Sequence, residues 1–217
     1  MTALYNFDHK GFDISGYVSG PLTDTLSARI AVKVLKQDGY IKNLATNHDD
    51  PETRQQIARA TLKWAPSEKF DFTVKAEYAN KDVYGGVTVS SPLTSAQAPT
   101  TTRYLDQAAL GRAGITTESF ITSGTANIYL GDYTLTSITG YSWFDANIVN
   151  GFDQTIPCTT THVPNSVYNS FPEKFDQFSQ EIRLLSPTGQ TVEFIVGAYY
   201  DSSTYQLKQY QGFNIAA

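Results

Sequence analysis

Apolar and polar residues alternate along most of this chain. In residues 26–34, Leu26 and Ile30 fall on one side and Arg29 and Lys33 on the other. A period of two places successive side chains on opposite faces of an extended backbone. The segment is therefore predicted to be a β-strand.

The same test finds further strands from end to end, and the clearest covers Phe70 to Tyr78, where aromatic and aliphatic residues oppose charged ones. Residues 133–145 are rich in β-formers but alternate poorly, which predicts a bulge near Ser137. No helix has comparable support, so the predicted fold class is all-β. The eight predicted strands cover approximately residues 12–20, 25–40, 54–65, 70–81, 118–130, 133–149, 177–186 and 191–205.

Short and long connections between these strands alternate. The short ones are turns near residues 20–24, 66–69, 131–132 and 187–189, and the long ones cover roughly 41–53, 82–117 and 150–175. In an antiparallel up-and-down meander, every second connection emerges at the same end of the sheet. The pattern is typical of a transmembrane β-barrel, because such barrels have short periplasmic turns and long extracellular loops.

Strand length and aromatic placement favour the same interpretation. The segment Leu26 to Tyr40 is fifteen residues long, or about 50 Å when extended. A tilted membrane strand needs only nine to eleven or so residues. Trp64 and Phe70 flank one short turn and Tyr133 adjoins another, as in an interfacial girdle. A soluble β-sandwich or small soluble barrel gives the same alternation with its apolar face inward. The alternation alone leaves both arrangements open.

Composition excludes several classes of protein. The chain has 217 residues, 41% of them hydrophobic, with a net charge of -5, so no basic stripe is available to neutralise nucleic-acid phosphates. Cys158 is the single cysteine, which excludes an internal disulfide. The chain contains no run of about 18 apolar residues, so no transmembrane helix is predicted. The first residues lack the pattern of an export signal.

Four segments carry a family resemblance. They are GYVSGPLTDTLSARIAVKVLKQDGYIKN (16–43), RQQIARATLKWAPSEKFDFTVKAEY (54–78), LTSITGYSWFD (135–145) and FSQEIRLLSPTGQTVEFIVGAYY (178–200). Together they resemble barrel strands of TonB-dependent outer-membrane receptors, in the style of sphingomonads and their relatives. The resemblance implies a plugged barrel of about twenty-two strands in a Gram-negative outer membrane. It also implies energy-coupled import of a scarce nutrient such as a ferric siderophore, cobalamin or oligosaccharide.

The chain departs from the full plan of that family. It shows no signal peptide, TonB box or plug domain, has strands for about a third of the barrel, and its end, QGFNIAA, lacks a terminal aromatic residue. We therefore expect residues 1–217 to be a partial receptor barrel that does not transport alone, with outer-membrane lipid, the TonB complex and a small-molecule ligand as partners of the full-length protein. The alternatives are an autonomous eight-stranded outer-membrane barrel and a soluble β-sandwich binding module.

Catalytic and metal-binding motifs are poorly supported. The chain has three histidines, His9, His48 and His162, and their spacing forms neither HExxH nor a serine triad. Residues 48–50 and the pair Cys158 and His162 could begin a metal site, but they lack further ligands and are predicted to be ordinary loop residues. No phosphate-binding glycine motif occurs. We therefore expect that the chain is not an enzyme and that it binds neither a cofactor nor a metal.

The long loops hold the candidate ligand contacts, since loops at one end of a rigid barrel meet ligands first. Arginine can grip carboxylate or phosphate, and tyrosine offers an amphipathic surface for a sugar or an aromatic iron chelate. The alternative is that these side chains only pack the loops together. The candidates are Tyr84, Arg103, Tyr104 and Arg112 in the loop 82–117, and Phe152, His162, Tyr168 and Phe171 in the loop 150–175.

Overall fold

A single twisted antiparallel sheet dominates the computed structural model, which describes residues 1–43, 48–85, 103–104, 114–151 and 166–214. Along these residues we find no helix that is long and apolar enough to cross a membrane. The strands are β1 (Thr2–Asn6), β2 (Gly11–Pro21), β3 (Leu26–Gln37), β4 (Ile41–Asn43), β5 (Asp49–Asp50), β6 (Glu52–Ser67), β7 (Phe70–Tyr84), β8 (Arg103–Tyr104), β9 (Gly114–Leu130), β10 (Tyr133–Gly151), β11 (Ser166–Leu185), β12 (Ile195–Leu207) and β13 (Tyr210–Asn214).

The strands of the main sheet follow one another in chain order. The order is β1-β2-β3-β6-β7-β9-β10-β11-β12, with β13 beside the far end of β11, and every neighbouring pair is antiparallel. A second, small sheet of order β5-β4-β8 lies in the connections at the loop end. The predicted all-β up-and-down meander is confirmed. The sheet is open, because β1 and β12 form its two edges and do not pair with each other.

Each of the eight strands predicted from the sequence is present, but several of their ends differ by three residues or more; β7 ends at Tyr84 rather than 81, and β9 begins at Gly114 rather than 118. β3 ends at Gln37 rather than near residue 40, and β11 begins at Ser166, eleven residues before the predicted start at 177. In residues 169–174 (NSFPEK), polar side chains fall on both faces around Phe171 and Pro172, so period two gives no signal there. β12 begins at Ile195 rather than 191, because the Ser186 hydroxyl accepts a hydrogen bond from the Phe194 amide at 2.8 Å and keeps these residues in the turn.

The bulge predicted near Ser137 is wrong. Ser137 pairs in register with Ala126 on β9 and with Ile182 on β11, and both ladders run past it without a shift. Small and hydroxyl side chains had blurred the alternation there without any change in backbone geometry. The described ladders instead show an irregularity between Trp64 and Ser67, beside the β6–β7 turn.

The sheet has almost no interior of its own. In the described part of the chain only Ile41 and Ala146 are buried hydrophobic residues, whereas Ile30 is 54% and Val32 51% exposed. No second layer covers the sheet within the described residues, so the β-sandwich alternative is wrong. The closed eight-stranded barrel is wrong as well, because the edges do not meet.

Candidate functional site

The register sorts the side chains of the sheet into two faces of opposite chemistry. We define the apolar face by Ile30, Ala60 and Ala76, which lie opposite one another on β3, β6 and β7. We define the charged face by the intervening residues, among them Arg59 and its partner Glu77. Period two keeps these sets apart along every strand.

An uncharged band crosses the apolar face. On β3 it extends from Leu26 to Val34 and ends at Lys36, and on β7 it extends from Phe70 to Tyr78 and ends at Asn80 and Asp82. The nine residues of each strand within the band span about 27 Å along the strand, or about 21 Å when tilted by 40°. That height is close to the apolar band of about 25 Å on outer-membrane barrels. The first charged residues towards the loop end on β9, β10 and β11 are Glu118, Asp145 and Asp176.

Aromatic side chains mark both borders of this band. At the turn end, the rings of Trp64 and Phe70 meet edge to face with centroids 5.8 Å apart. At the loop end, Tyr78, Phe120 and Trp143 lie opposite one another on β7, β9 and β10. Amphipathic rings favour the boundary between hydrocarbon and water. The aromatic residues noted near strand ends in the sequence therefore belong to two borders, one at each end of the uncharged band.

Ion pairs and hydrogen bonds hold the charged face together. Lys33 Nζ lies 2.8 Å from Asp13 Oδ2, linking β3 to β2. Arg59 donates from Nε to Glu77 Oε2 at 2.6 Å, linking β6 to β7. Some of the charged residues on this face thus have partners of opposite charge on the neighbouring strand. Such pairs are partly exposed, and each contributes at most about 1 kcal/mol.

A polar network ties the turn end of the charged face. Asp71 accepts hydrogen bonds from Asn127 at 3.1 Å and from the Tyr129 hydroxyl at 2.7 Å, and the Thr136 hydroxyl donates to Asn127 at 2.8 Å. These contacts connect β7, β9 and β10. Thr136 is 6% exposed, so it is one of the few buried polar side chains among the described residues.

The loop end is braced by a close approach of two connections. Asp50 is fully buried, and a Cβ on either Gly39 or Gly85 would overlap it. Gly85 has φ +89°, a left-handed conformation that favours glycine. β4 also pairs in parallel with β8, with Lys42 and Arg103 as backbone partners. The loops 41–53 and 82–117 are therefore joined at their bases.

The structure brings three of the predicted ligand contacts to this brace. Tyr84 ends β7 on the same face as Glu52 and Arg54, and its ring centre lies 6.0 Å from the Arg54 guanidinium carbon. The backbones of Arg103 and Tyr104 form β8. Tyr84 thus contacts neighbouring strand residues at the base of the loop. It lies above the uncharged band and not on the charged face.

Of the other candidates, the structure describes two, and both lie on β11. The backbone of Tyr168 pairs with Gly151 and Gly212, and Phe171 lies on β11 opposite Ile148. Arg112, Phe152, Cys158 and His162 lie outside the described residues. Of the run 48–50, His48 is exposed while Asp50 is buried, so the three side chains do not form one site. No group of three potential metal ligands occurs among the described residues.

A shallow hollow of ≈ 630 Å³ opens on the charged face at mid-strand. Its lining includes Arg29, Arg59, Thr61, Lys75 and Glu77. The sequence predicted that these charged residues share a face, but it did not indicate a hollow among them. Strand pairing across three strands was needed for that, and it is invisible in a one-dimensional pattern.

Solved structures share this arrangement of strands. The ferric yersiniabactin uptake receptor of Yersinia pestis superposes with a TM-score of 0.72 at 16% identity, over 94% of this chain and 30% of that receptor. The ferripyoverdine receptor of the outer membrane of Pseudomonas aeruginosa, bound to ferripyoverdine, gives 0.68 at 15% identity, over 93% of this chain and 27% of that one. The chain has the fold of an outer-membrane receptor barrel.

This receptor-barrel wall spans less than a third of the length of these receptors. A third similar structure, the complex of FpvAI with pyocin S2, gives a TM-score of 0.73 at 15% identity, over 93% of this chain and 26% of that one. No family model and no curated protein sequence matches the chain. The fold is that of the barrels whose strands the motifs resemble, so the predicted fold class is confirmed.

Proposed function

We propose that this chain is a stretch of the barrel wall of a TonB-dependent outer-membrane receptor. The full-length protein takes up a scarce nutrient, such as a ferric siderophore, cobalamin or oligosaccharide, in the outer membrane of a Gram-negative bacterium. The chain does not transport alone, because a wall of this extent leaves two open edges whose unpaired backbone groups are costly in lipid.

One observation supports the proposal most strongly, namely the uncharged, aromatic-bordered band on the apolar face. In a water-soluble protein, so many exposed aliphatic side chains, Ile30, Val32, Leu62 and Ile182 among them, would be covered by a second layer. In a barrel wall they meet lipid, while the charged face borders a wet interior. The likeness to uptake receptors of iron chelates makes a ferric chelate the first ligand to test.

For ligand capture we propose the loop end of the wall. The candidates are Tyr84, Arg103, Tyr104, Phe152, His162 and Tyr168. The support concerns Tyr84, Arg103 and Tyr104, because the bases of the loops 41–53 and 82–117 are braced together where these residues lie. A loop end that is braced can hold a ligand without first having to order its own backbone.

The test of membrane placement uses neighbouring residues on opposite faces. Cysteine replaces Ala31 on the charged face or Val32 on the apolar face, with Cys158→Ser removing the native thiol. Each variant is folded into lipid vesicles and treated with a polar maleimide. We expect Ala31→Cys to react and Val32→Cys to be protected by lipid alone. Protection of Val32→Cys in plain buffer without any amphiphile would contradict the proposal.

The uptake part is tested in cells that produce a receptor-length protein containing this wall. Iron delivered as a chelate should accumulate only when TonB is functional. Equal accumulation in cells lacking TonB would contradict energy coupling. Substitution of Tyr84 or Arg103 by alanine should raise the ligand concentration needed for half-maximal accumulation, whereas Lys69→Ala at a short turn should not.

A further inference from the structure

Four cationic residues surround Thr61 on the charged face. Arg29 is its partner on β3 and Lys75 its partner on β7. Arg59 and Lys63 lie two residues to either side of it on β6 itself. Neighbouring strands are about 4.8 Å apart and alternate residues of one strand about 6.8 Å apart, so all four Cα atoms lie within roughly 7 Å of that of Thr61.

The positive charge of this cluster is incompletely compensated. Within the described part of the chain, Arg59 is the member that has an ion pair, with Glu77. The Arg29 guanidinium lies over the Tyr17 ring, 4.0 Å from its centre, which leaves its charge in place. Lys63 and Lys75 make no ion pair with another described residue. Like charges on adjacent positions of a sheet repel one another, so an anion meeting the cluster would relieve that repulsion.

The cluster is local and does not follow from the composition. The chain as a whole carries a net charge of -5. On the same face of β9 and β10 the residues are uncharged, with Ser123, Thr125 and Ser142 at mid-strand. The positive surface is therefore confined to β3, β6 and β7, at mid-strand and away from the loop brace.

We propose that Thr61 and these four residues form a binding site for a small polyanion, a molecule with two or more carboxylate or phosphate groups. The hollow of ≈ 630 Å³ beside them is of the size that small molecules occupy, about 300–1,000 Å³. An arginine fork can bind one anionic group in bidentate fashion, a lysine can neutralise a second, and the Thr61 hydroxyl can donate to either. The inference rests on the proposed function in one respect, that this face borders water inside the barrel.

The first experiment measures lysine reactivity in the full chain folded into lipid vesicles. An amine-acetylating reagent is applied with and without pyrophosphate or tricarballylate, with glycerol as the uncharged control, and acetylation is quantified by mass spectrometry. Lys75 should be protected about tenfold by either anion. Lys69, on the exposed β6–β7 turn, is the internal control and should keep its reactivity.

The outcomes separate this inference from the proposed function. If Lys75 is unreactive even without an anion, the face is not wet and the proposed function fails. If Lys75 reacts equally with and without the anions, or if Lys69 is protected to the same degree, the anion site is overturned while the wall assignment stands. Lys75 could also be protected in a receptor-length protein but not by pyrophosphate. The cluster would then bind an acidic protein segment, and the anion site would again be overturned.

Variants provide a second measurement. Lys75→Gln and Arg29→Gln should each weaken pyrophosphate binding, measured by calorimetry in the same vesicles, by about tenfold, the loss of a charge-assisted hydrogen bond. Lys69→Gln is the matched control and should bind as the parent chain does. Because Arg29 and Lys75 are exposed and glutamine remains polar, we expect the sheet to tolerate both substitutions. Unchanged binding in both variants would overturn the site.

Discussion

Two isoleucines offer a matched test of which face meets lipid. Ile30 lies on the apolar face and Ile121 on the charged face, and each is 54% exposed. Ile121 also lies directly opposite Glu77, so an arginine introduced there would have a carboxylate beside it. Arginine in place of each residue therefore probes the two environments with the same chemical change.

The expected cost differs by several kcal/mol between the two sites. An arginine facing lipid near the bilayer midplane costs about 2–4 kcal/mol. Losing the lipid contact of a half-exposed isoleucine adds about 1 kcal/mol, so Ile30→Arg should destabilise the chain by about 3–5 kcal/mol. Ile121→Arg faces water, where attraction to Glu77 and repulsion from neighbouring cations are each worth about 0.2–1 kcal/mol, so its free energy of unfolding should change by less than about 1 kcal/mol.

The assay is urea unfolding in lipid vesicles, followed by the fluorescence of Trp64 and Trp143. A difference of about 3 kcal/mol corresponds to more than a hundredfold in the folding equilibrium. If the two variants lose equal stability, or if Ile121→Arg is the more damaging, the apolar face does not meet lipid. The Lys69→Arg substitution keeps the charge on an exposed turn and serves as the control, since its free energy of unfolding should equal that of the parent chain.

Three further outcomes follow from the packing of the wall. Asp71→Ala removes the acceptor of two hydrogen bonds and should lower the free energy of unfolding by about 1–3 kcal/mol in the same urea titration. An unchanged urea midpoint would show that the hydrogen bonds of Asp71 do not stabilise the sheet. Gly85→Ala should expose the loop base to limited proteolysis, since its Cβ would overlap the buried brace, whereas Gly131→Ala, which has a positive φ but open space around it, should leave the cleavage pattern as it was. Trp64 and Trp143, studied singly with the other replaced by phenylalanine, should each be quenched more by lipids brominated near the head group than by lipids brominated near the chain ends; the reverse order would place the borders of the band elsewhere.

The strands could be predicted where the two faces have different surroundings. From Phe70 to Tyr78 one side is apolar and the other charged, and the predicted strand is present in the structure. The early part of β11 could not be predicted, because polar side chains such as those of Asn169 and Lys174 fall on both faces and the alternation vanishes. Pro172 adds to this, since proline is unusual inside a sheet, yet its carbonyl accepts a hydrogen bond from the Lys208 amide at 3.0 Å.

The sites were less predictable than the strands. Tyr84 was chosen because it lies in a long loop, but it ends a strand and contacts Arg54. The cluster around Thr61 was hidden, because its members come from three strands and meet only through their register. The alternation along a strand indicates which of its residues share a face. The register between strands determines which of those residues are neighbours.

The uninterrupted register of β10 bears on how such a chain can change in length. Every residue from Thr134 to Val149 is paired on both sides, with β9 and with β11. Deleting one codon there would shift one half of the strand relative to the other and exchange its two faces, so that polar side chains would turn towards lipid. Gains and losses of single residues should therefore be confined to the connections during evolution, and a strand of this wall should change its length only in steps of two.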